Sequence, residues 1–180
     1  RTSEPGLHYH LPTPIERAFK PKVTKVNRLE VGFRTSQSQF NQNNQVRNVP
    51  EEALMLTGDE NIVDLNFTIF WIINNARDYL FNVRNPEITV KSIGESVMRE
   101  KIGQTPIDPI LSEGKSIVEE DAKIKLQEVL DFYKSGILIT QVQLQKADPP
   151  ELVIESYRDV QRAKTDEQRL KNEAESYRND

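Results

Sequence analysis

The chain has 180 residues, of which 36% are hydrophobic and 29% charged, and its formal net charge is −4. This length suffices for one domain with a hydrophobic core and an appendage, or for two small domains. The acidic balance argues against a nucleic-acid-binding protein, and the lack of cysteine excludes a disulfide framework, a cysteine-based zinc site and a thiol nucleophile.

Residues 1–22 are rich in proline, which permits short extended pieces and no helix. Both histidines of the chain, His8 and His10, lie in this segment on either side of Tyr9. Two imidazoles could begin a metal site, but no third ligand lies nearby, so no metal is predicted. Tyr9 is suited to a membrane surface, where amphipathic rings are favoured, and equally to packing within the domain.

Two segments with opposite patterns follow. Residues 23–33 form a predicted strand with Leu29, Val31 and Phe33 on one face. Residues 35–49 are rich in Gln, Asn and Ser. Such a composition buries too little apolar surface to offset its ordering entropy, so this segment is predicted to be a mobile loop.

A hairpin is predicted next, with arms at 53–57 and 63–73 around the turn formers Gly58, Asp59 and Asn61. The second arm alternates with a period of two. Its apolar face consists of Val63, Leu65, Phe67, Ile69, Trp71 and Ile73. The opposite face begins polar and becomes apolar from Phe70. This change predicts a sheet whose far end is covered by helices, and therefore an α+β domain.

Three helices and a strand are predicted after this hairpin. One or two helical turns lie in residues 75–82, and a longer helix starts at 85–86 with an Asn-Pro signal and stops near Gly103. A third helix runs from the Asp-Pro pair at 108–109 to Gly136. Its predicted buried residues are Leu111, Val118, Ala122, Leu126, Val129 and Tyr133. In the strand at 137–145, the residues predicted to share one face are Leu138, Val142 and Leu144.

The two prolines at 149–150 end this strand and open a helix that is predicted to run to Asp180. Small and apolar residues recur along it at alternating spacings of four and three. The resulting seam consists of Val153, Ser156, Val160, Ala163, Glu167, Leu170, Ala174 and Tyr177. A seam this narrow cannot hold a lone helix, so we predict that chains associate side by side. The predicted oligomerisation residues are Val153, Val160, Ala163, Leu170, Ala174 and Tyr177.

No catalytic or cofactor site is predicted. Residues 112–116 imitate the end of a phosphate-binding loop, but Pro109 stands where that loop needs glycine. A serine hydrolase would need a histidine base, and both histidines lie in the proline-rich start. A Ser/Lys dyad that uses Lys91, Lys101 or Lys115 stays open as a rival hypothesis.

Several motifs resemble those of the SPFH family, which comprises stomatin, prohibitin, flotillin and band 7 proteins. They are residues 6–12 (Gly-Leu-His-Tyr-His-Leu-Pro), 55–61 (Met-Leu-Thr-Gly-Asp-Glu-Asn) and 83–86 (Val-Arg-Asn-Pro). Residues 110–115 and 142–150 resemble a bacterial subgroup of that family. The resemblance covers most of the chain and is weakest in the Gln/Asn-rich segment.

The resemblance implies a fold and a domain order. Residues 23–148 would form an SPFH/band 7 domain, with a mainly antiparallel sheet flanked by helices, and residues 149–180 the start of a long coiled-coil helix. Residues 1–22 would be a membrane-proximal segment. The residues nearest the bilayer would then be Leu7, His8, Tyr9, His10 and Leu11.

The resemblance also implies a place and a function. A single transmembrane helix before Arg1 would anchor the domain on the periplasmic face of the bacterial inner membrane. A non-enzymatic scaffold would assemble with an HflC-like paralogue into a large lateral oligomer. This oligomer would regulate the membrane-bound AAA+ protease FtsH. A lipid-binding organiser of the stomatin type, without a protease, is the alternative.

Overall fold

The α+β fold expected from the sequence is confirmed by a computed structural model. It describes residues 6, 9, 15, 19–36, 45–111, 114–150 and 153–179. The strands are β1 (Asn27–Val31), β2 (Phe33–Ser36), β3 (Gln45–Asn48), β4 (Leu54–Leu56), β5 (Ile62–Ile73) and β6 (Ile137–Asp148). The helices are α1 (Pro50–Ala53), α2 (Ala76–Phe81), α3 (Pro86–Gln104), α4 (Ile107–Leu111), α5 (Lys115–Phe132) and α6 (Ile154–Asn179).

The long strand β5 is the centre of the main sheet. It pairs antiparallel with β1 and β4 along one edge and with β6 along the other. The six apolar residues predicted to share a face of β5 are all buried. They join residues of α3 and α5, such as Val90, Met98 and Leu126, in one hydrophobic core. The period-two pattern of this strand therefore predicts the core face correctly.

The second face of β5 differs from the prediction. Asn66 and Thr68 are only 4% and 0% exposed, whereas Phe70 and Ile72 are partly exposed. The polar part of this face is thus the better buried, and the prediction of a strand end buried on both faces is wrong. Asn66 and Thr68 are buried because other strands of the same chain lie next to them. Asn66 donates a hydrogen bond to Asn48 of β3, and Thr68 lies beside Glu30 of β1.

A small second sheet replaces part of the predicted loop. β2 and β3 pair antiparallel, from Phe33 opposite Asn48 to Ser36 opposite Gln45. The prediction of a mobile loop over 35–49 is therefore wrong at both ends, because backbone pairing stabilises these polar residues without apolar burial. Residues 37–44 lie outside the described part of the chain. Gly32, with a φ of 86°, separates β1 from β2 within the predicted strand at 23–33.

An ionic cluster at Glu52 ties α1 to β2 and α3. The Glu52 carboxylate accepts hydrogen bonds from Lys91 Nζ at 2.6 Å, from Arg34 Nη2 at 2.8 Å and from the Gly32 backbone N–H at 3.3 Å. Burial alone would raise the pKa of Glu52. The hydrogen bonds from Lys91, Gly32 and Arg34 outweigh burial and lower this pKa below its ordinary value.

Glu52→Gln is expected to lower the free energy of unfolding at pH 7 by about 1–3 kcal/mol, the usual contribution of charge-assisted hydrogen bonds. Because the folded-state pKa is depressed, this stabilisation is present above the unfolded-state pKa and is lost as the pH falls through the folded-state value. Urea denaturation of both proteins at pH 7 and at about pH 3 would show the difference shrinking in acid. Glu51 is exposed, so Glu51→Gln serves as the control. If the difference in free energy of unfolding between the parent and Glu52→Gln were equal at both pH values, this explanation would be contradicted.

The helical region follows the prediction with one break. α2 and α3 form where predicted, but the single helix expected over 108–136 is two helices, α4 and α5. Gly114, the residue before α5, lies against α4, and a Cβ there would be 2.6 Å from the Pro109 carbonyl oxygen. The predicted burial of Tyr133 is also wrong, because α5 ends at Phe132 and the chain then turns through Lys134 and Gly136, both with positive φ.

Strand β6 changes its buried face twice. Trp71 and Phe70 pair with Ile139 and Gln141, which leaves Thr140 as an extra residue, and a second irregularity follows at Gln145. Each bulge reverses the alternation. Leu138 is therefore 39% exposed and does not share a face with Val142 and Leu144, contrary to the prediction. The buried residues of β6 are Ile137, Ile139, Val142, Leu144 and Ala147.

The chain enters the main sheet at one end of β5 and leaves it at the other end. Asn27, at the start of β1, pairs with Trp71, while Asp148, at the end of β6, pairs with Asp64. We call the Trp71 end of β5 the entry end and the Asp64 end the exit end. Among the described helices, none is both long enough and apolar enough to cross a membrane.

Candidate interaction surfaces

The terminal helix α6 carries the seam predicted from the spacing of its small and apolar residues. The six predicted oligomerisation residues all lie exposed in the single chain. The larger ones, Val153, Val160, Leu170 and Tyr177, are between 43% and 78% exposed. A soluble helix ordinarily buries its apolar stripe. The seam of α6 is therefore a candidate surface for other helices, and its role in assembly stays a prediction.

The one charged residue of the seam, Glu167, forms an ion pair with another residue of the same helix. Glu167 accepts from Lys171 Nζ at 2.7 Å, one turn further along α6. Neighbouring pairs of the same kind join Arg162 to Asp159 and Arg169 to Asp166, each at 3.2 Å. Exposed pairs of this kind contribute little stability. They do, however, allow an acidic residue to stand in an otherwise apolar seam.

The first turns of α6 contact the domain through polar side chains. Tyr157 donates its hydroxyl proton to Asp108 Oδ1 at 3.2 Å. Gln161 Nε2 donates to the same oxygen at 3.2 Å and to the Tyr157 hydroxyl at 3.0 Å. Burial, and then the Asp108 carboxylate, raise the pKa of the Tyr157 hydroxyl. This triad joins α6 to α4 at the exit end.

The predicted hairpin turn supports α4. Asp59 Oδ1 accepts from the hydroxyl of Thr57 and, at 3.1 Å, from the backbone N–H of Ile107, the first residue of α4. Burial alone would raise the pKa of Asp59, but the hydrogen bonds from Thr57 and the Ile107 N–H outweigh it, so the pKa lies below the ordinary value. Gly58 N–H also donates to the Thr105 carbonyl oxygen at 3.0 Å. The turn is thus a support for α4 and not a free loop.

The predicted membrane-proximal residues are described only at Tyr9, which is 93% exposed. The other four, Leu7, His8, His10 and Leu11, lie outside the described residues, and the two histidines considered for a metal are among them. Within the described part of the chain, no cluster of three or more His, Cys, Asp or Glu could hold a metal ion. Contact with a membrane therefore stays a prediction for this segment.

Three exposed aromatic residues at the entry end were not predicted. Phe81, Phe132 and Tyr133, which we call the aromatic tip, are between 57% and 82% exposed. They flank two turns that are joined by a hydrogen bond of 2.8 Å from Asn82 Nδ2 to the Lys134 carbonyl oxygen. No local sequence signal marks them, because adjacent helix residues can both be buried, as Val97 and Met98 are in α3.

Two lysines of the rival Ser/Lys hypothesis, Lys91 and Lys101, contact carboxylates. Lys91 Nζ is bound to Glu52, and Lys101 Nζ lies 3.4 Å from Asp121 Oδ2. Ser96 donates its hydroxyl proton to the Ser92 carbonyl oxygen at 2.9 Å, within α3. None of these contacts joins a lysine amine to a serine hydroxyl, as a catalytic dyad would require.

Comparison with known proteins gives a consistent result. Residues 1–178 match the SPFH domain / Band 7 family. The chain is 41% identical over 180 residues to Protein HflK of Treponema pallidum (strain Nichols), an alignment that covers 98% of this chain and 54% of the relative. It is 33% identical over 174 residues to Protein HflK of Borreliella burgdorferi, with coverage of 96% and 55%.

A third relative has a more informative name. The Modulator of FtsH protease HflK of Escherichia coli (strain K12) is 33% identical over 135 residues, which cover 75% of this chain and 32% of that protein. The chain thus spans about half the length of the first two relatives and a third of this one.

Proposed function

The chain belongs to the SPFH domain / Band 7 family, and from this premise we propose that it is a non-enzymatic scaffold subunit that assembles laterally and regulates a membrane-bound protease of the FtsH type. The Escherichia coli relative is named as a modulator of FtsH protease. The proposal transfers that activity to this chain and adds an HflC-like paralogue as the second subunit.

The exposed seam of α6 is the observation that carries the proposal. Leu170 and Val160 lie on this helix with more than half of their surface in contact with solvent. Burying them requires helices from neighbouring subunits, because α6 extends away from the core of its own domain. Subunits that pack through α6 side by side form a wall, which suits a protein that surrounds a partner better than one that acts alone.

The ends of the sheet support an arrangement relative to a bilayer. We propose a single-pass protein of the bacterial inner membrane, with the transmembrane helix preceding Arg1 and the domain on the periplasmic face. The chain reaches β1 at the entry end, where the aromatic tip also lies, and α6 begins at the exit end. Exposed aromatic side chains are favoured at the membrane–water interface. The entry end would face the bilayer, and α6 would project from the other end.

Co-purification from detergent-solubilised membranes tests the proposal. The tagged chain, expressed together with an HflC-like paralogue and FtsH, is expected to recover both in one large complex. A complex with lipid and no protease would favour the stomatin-type organiser instead. A monomer that recovers neither protein would contradict the proposed function.

A further inference from the structure

The structure points to a polar joint that fixes the direction in which α6 leaves the domain. We propose that Asp108, Tyr157 and Gln161 form this joint, and that Asp59 holds Asp108 in place. The joint acts within one chain, so it does not require the assembly proposed above.

The connection between β6 and α6 cannot fix this direction alone. Residues 149–153 separate the two elements, and the backbone hydrogen bond described there runs from Val153 N–H to the Pro150 carbonyl oxygen. Proline lacks an N–H and fixes only its own φ, so Pro149 and Pro150 do not by themselves set the direction of the helix that follows. Side-chain contacts must therefore hold α6 against the domain.

Those contacts are concentrated near the start of the helix. Among the described side chains of α6, Ile154, Tyr157 and Gln161 are partly buried, and the others are exposed. Tyr157 and Gln161 are one helical turn apart, so both reach the same carboxylate oxygen of Asp108. Two donors that converge on one carboxylate oxygen, and that also bond to each other, restrain both the position and the rotation of the helix.

The position of Asp108 depends in turn on the hairpin turn. The preceding residue, Ile107, donates its backbone N–H to Asp59 Oδ1, and Gly58 N–H donates to Thr105. Asp59 therefore links the turn between β4 and β5 to α4, and Asp108 links α4 to α6. This chain of contacts connects the central strand of the sheet to the direction of the terminal helix.

Distance measurement between two spin labels tests the joint. Because the chain has no cysteine, Gln141→Cys on β6 and Asn172→Cys on α6 provide two unique and exposed label sites. Labelled chains are diluted with unlabelled chains so that distances between subunits do not contribute. The parent is expected to show one narrow distribution, and Tyr157→Phe/Gln161→Ala a distribution that is broader by about twofold or more.

The matched control is Gln168→Ala, which makes the same change as Gln161→Ala at an exposed position of the same helix outside the seam. Its distribution is expected to equal that of the parent. A joint variant with an unchanged distribution would overturn the proposal, as would equal broadening in both variants.

Asp59→Ala tests the support from the turn. Broadening in a variant that retains its native circular dichroism is expected, and an unchanged distribution would remove Asp59 from the joint.

Discussion

Leu170→Asp is expected to weaken self-association of the chain by about a hundredfold or more. Leu170 lies within the seam, and side-by-side packing of α6 would bury it. A carboxylate in that position loses its hydration without gaining a partner, and a penalty of about 3 kcal/mol corresponds to a hundredfold change in the association constant. Sedimentation velocity over a range of protein concentrations measures the shift directly.

Two further variants separate the seam from a general effect of charge. Val160→Asp is expected to act like Leu170→Asp, because it lies on the same seam. Asn172→Asp adds the same charge on another side of α6 and is expected to leave association unchanged. All three should retain the melting temperature of the domain, because these exposed side chains lie outside its core. Seam variants that sediment like the parent would rule out the seam as the assembly surface.

Gly136→Ala is expected to lower the free energy of unfolding by about 2–4 kcal/mol, the sum of left-handed backbone strain and overpacking. Gly136 has a φ of 68°, and a Cβ there would lie 2.4 Å from the Asn75 carbonyl oxygen and 2.8 Å from the Tyr79 nitrogen. Both are backbone atoms, so no side-chain rotation relieves the clash. The Gly136 carbonyl also accepts hydrogen bonds from the N–H groups of Asn74 and Asn75, which would be disturbed.

Urea denaturation gives the comparison, and Gly103→Ala is its control. Gly103 lies in α3 without a positive φ, and its nearest neighbour would be 3.8 Å from an added Cβ. There, alanine is expected to raise the free energy of unfolding by about 0.4–1 kcal/mol by restricting the unfolded chain. Equal urea midpoints for Gly136→Ala and the parent would show that the turn before β6 accommodates alanine without loss of stability.

The sequence predicts the elements whose periodicity is long and uninterrupted. β5 keeps an apolar residue at every second position from Val63 to Ile73, so its core face is predicted correctly. α6 forms where the sequence predicts a helix, and the role of its seam stays a prediction. The period of β6 is interrupted, because its bulges at Thr140 and Gln145 change which face is buried, and its buried face is therefore mispredicted. A bulge depends on the register of the partner strand, which local composition does not reveal.

Contacts between distant parts of the chain account for the other differences. β2 and β3 are too polar to be predicted as strands, and pairing with each other is what orders them. The joint brings Asp108 together with Tyr157 across 49 residues, and no local pattern marks either residue. The seam, by contrast, is a property of one helix and can be read from its spacing.

The opposite placement of the entry and exit ends has a mechanical consequence. A pull between the start of β1 and the end of β6 acts along the strands, because β1 begins beside Trp71 and β6 ends beside Asp64. The ladder hydrogen bonds of an antiparallel sheet lie perpendicular to that direction. Such a load shears the strands past β5, so many hydrogen bonds must break together and not one after another. Tension between the start of β1 and α6 would therefore load the sheet in the direction in which it resists force best.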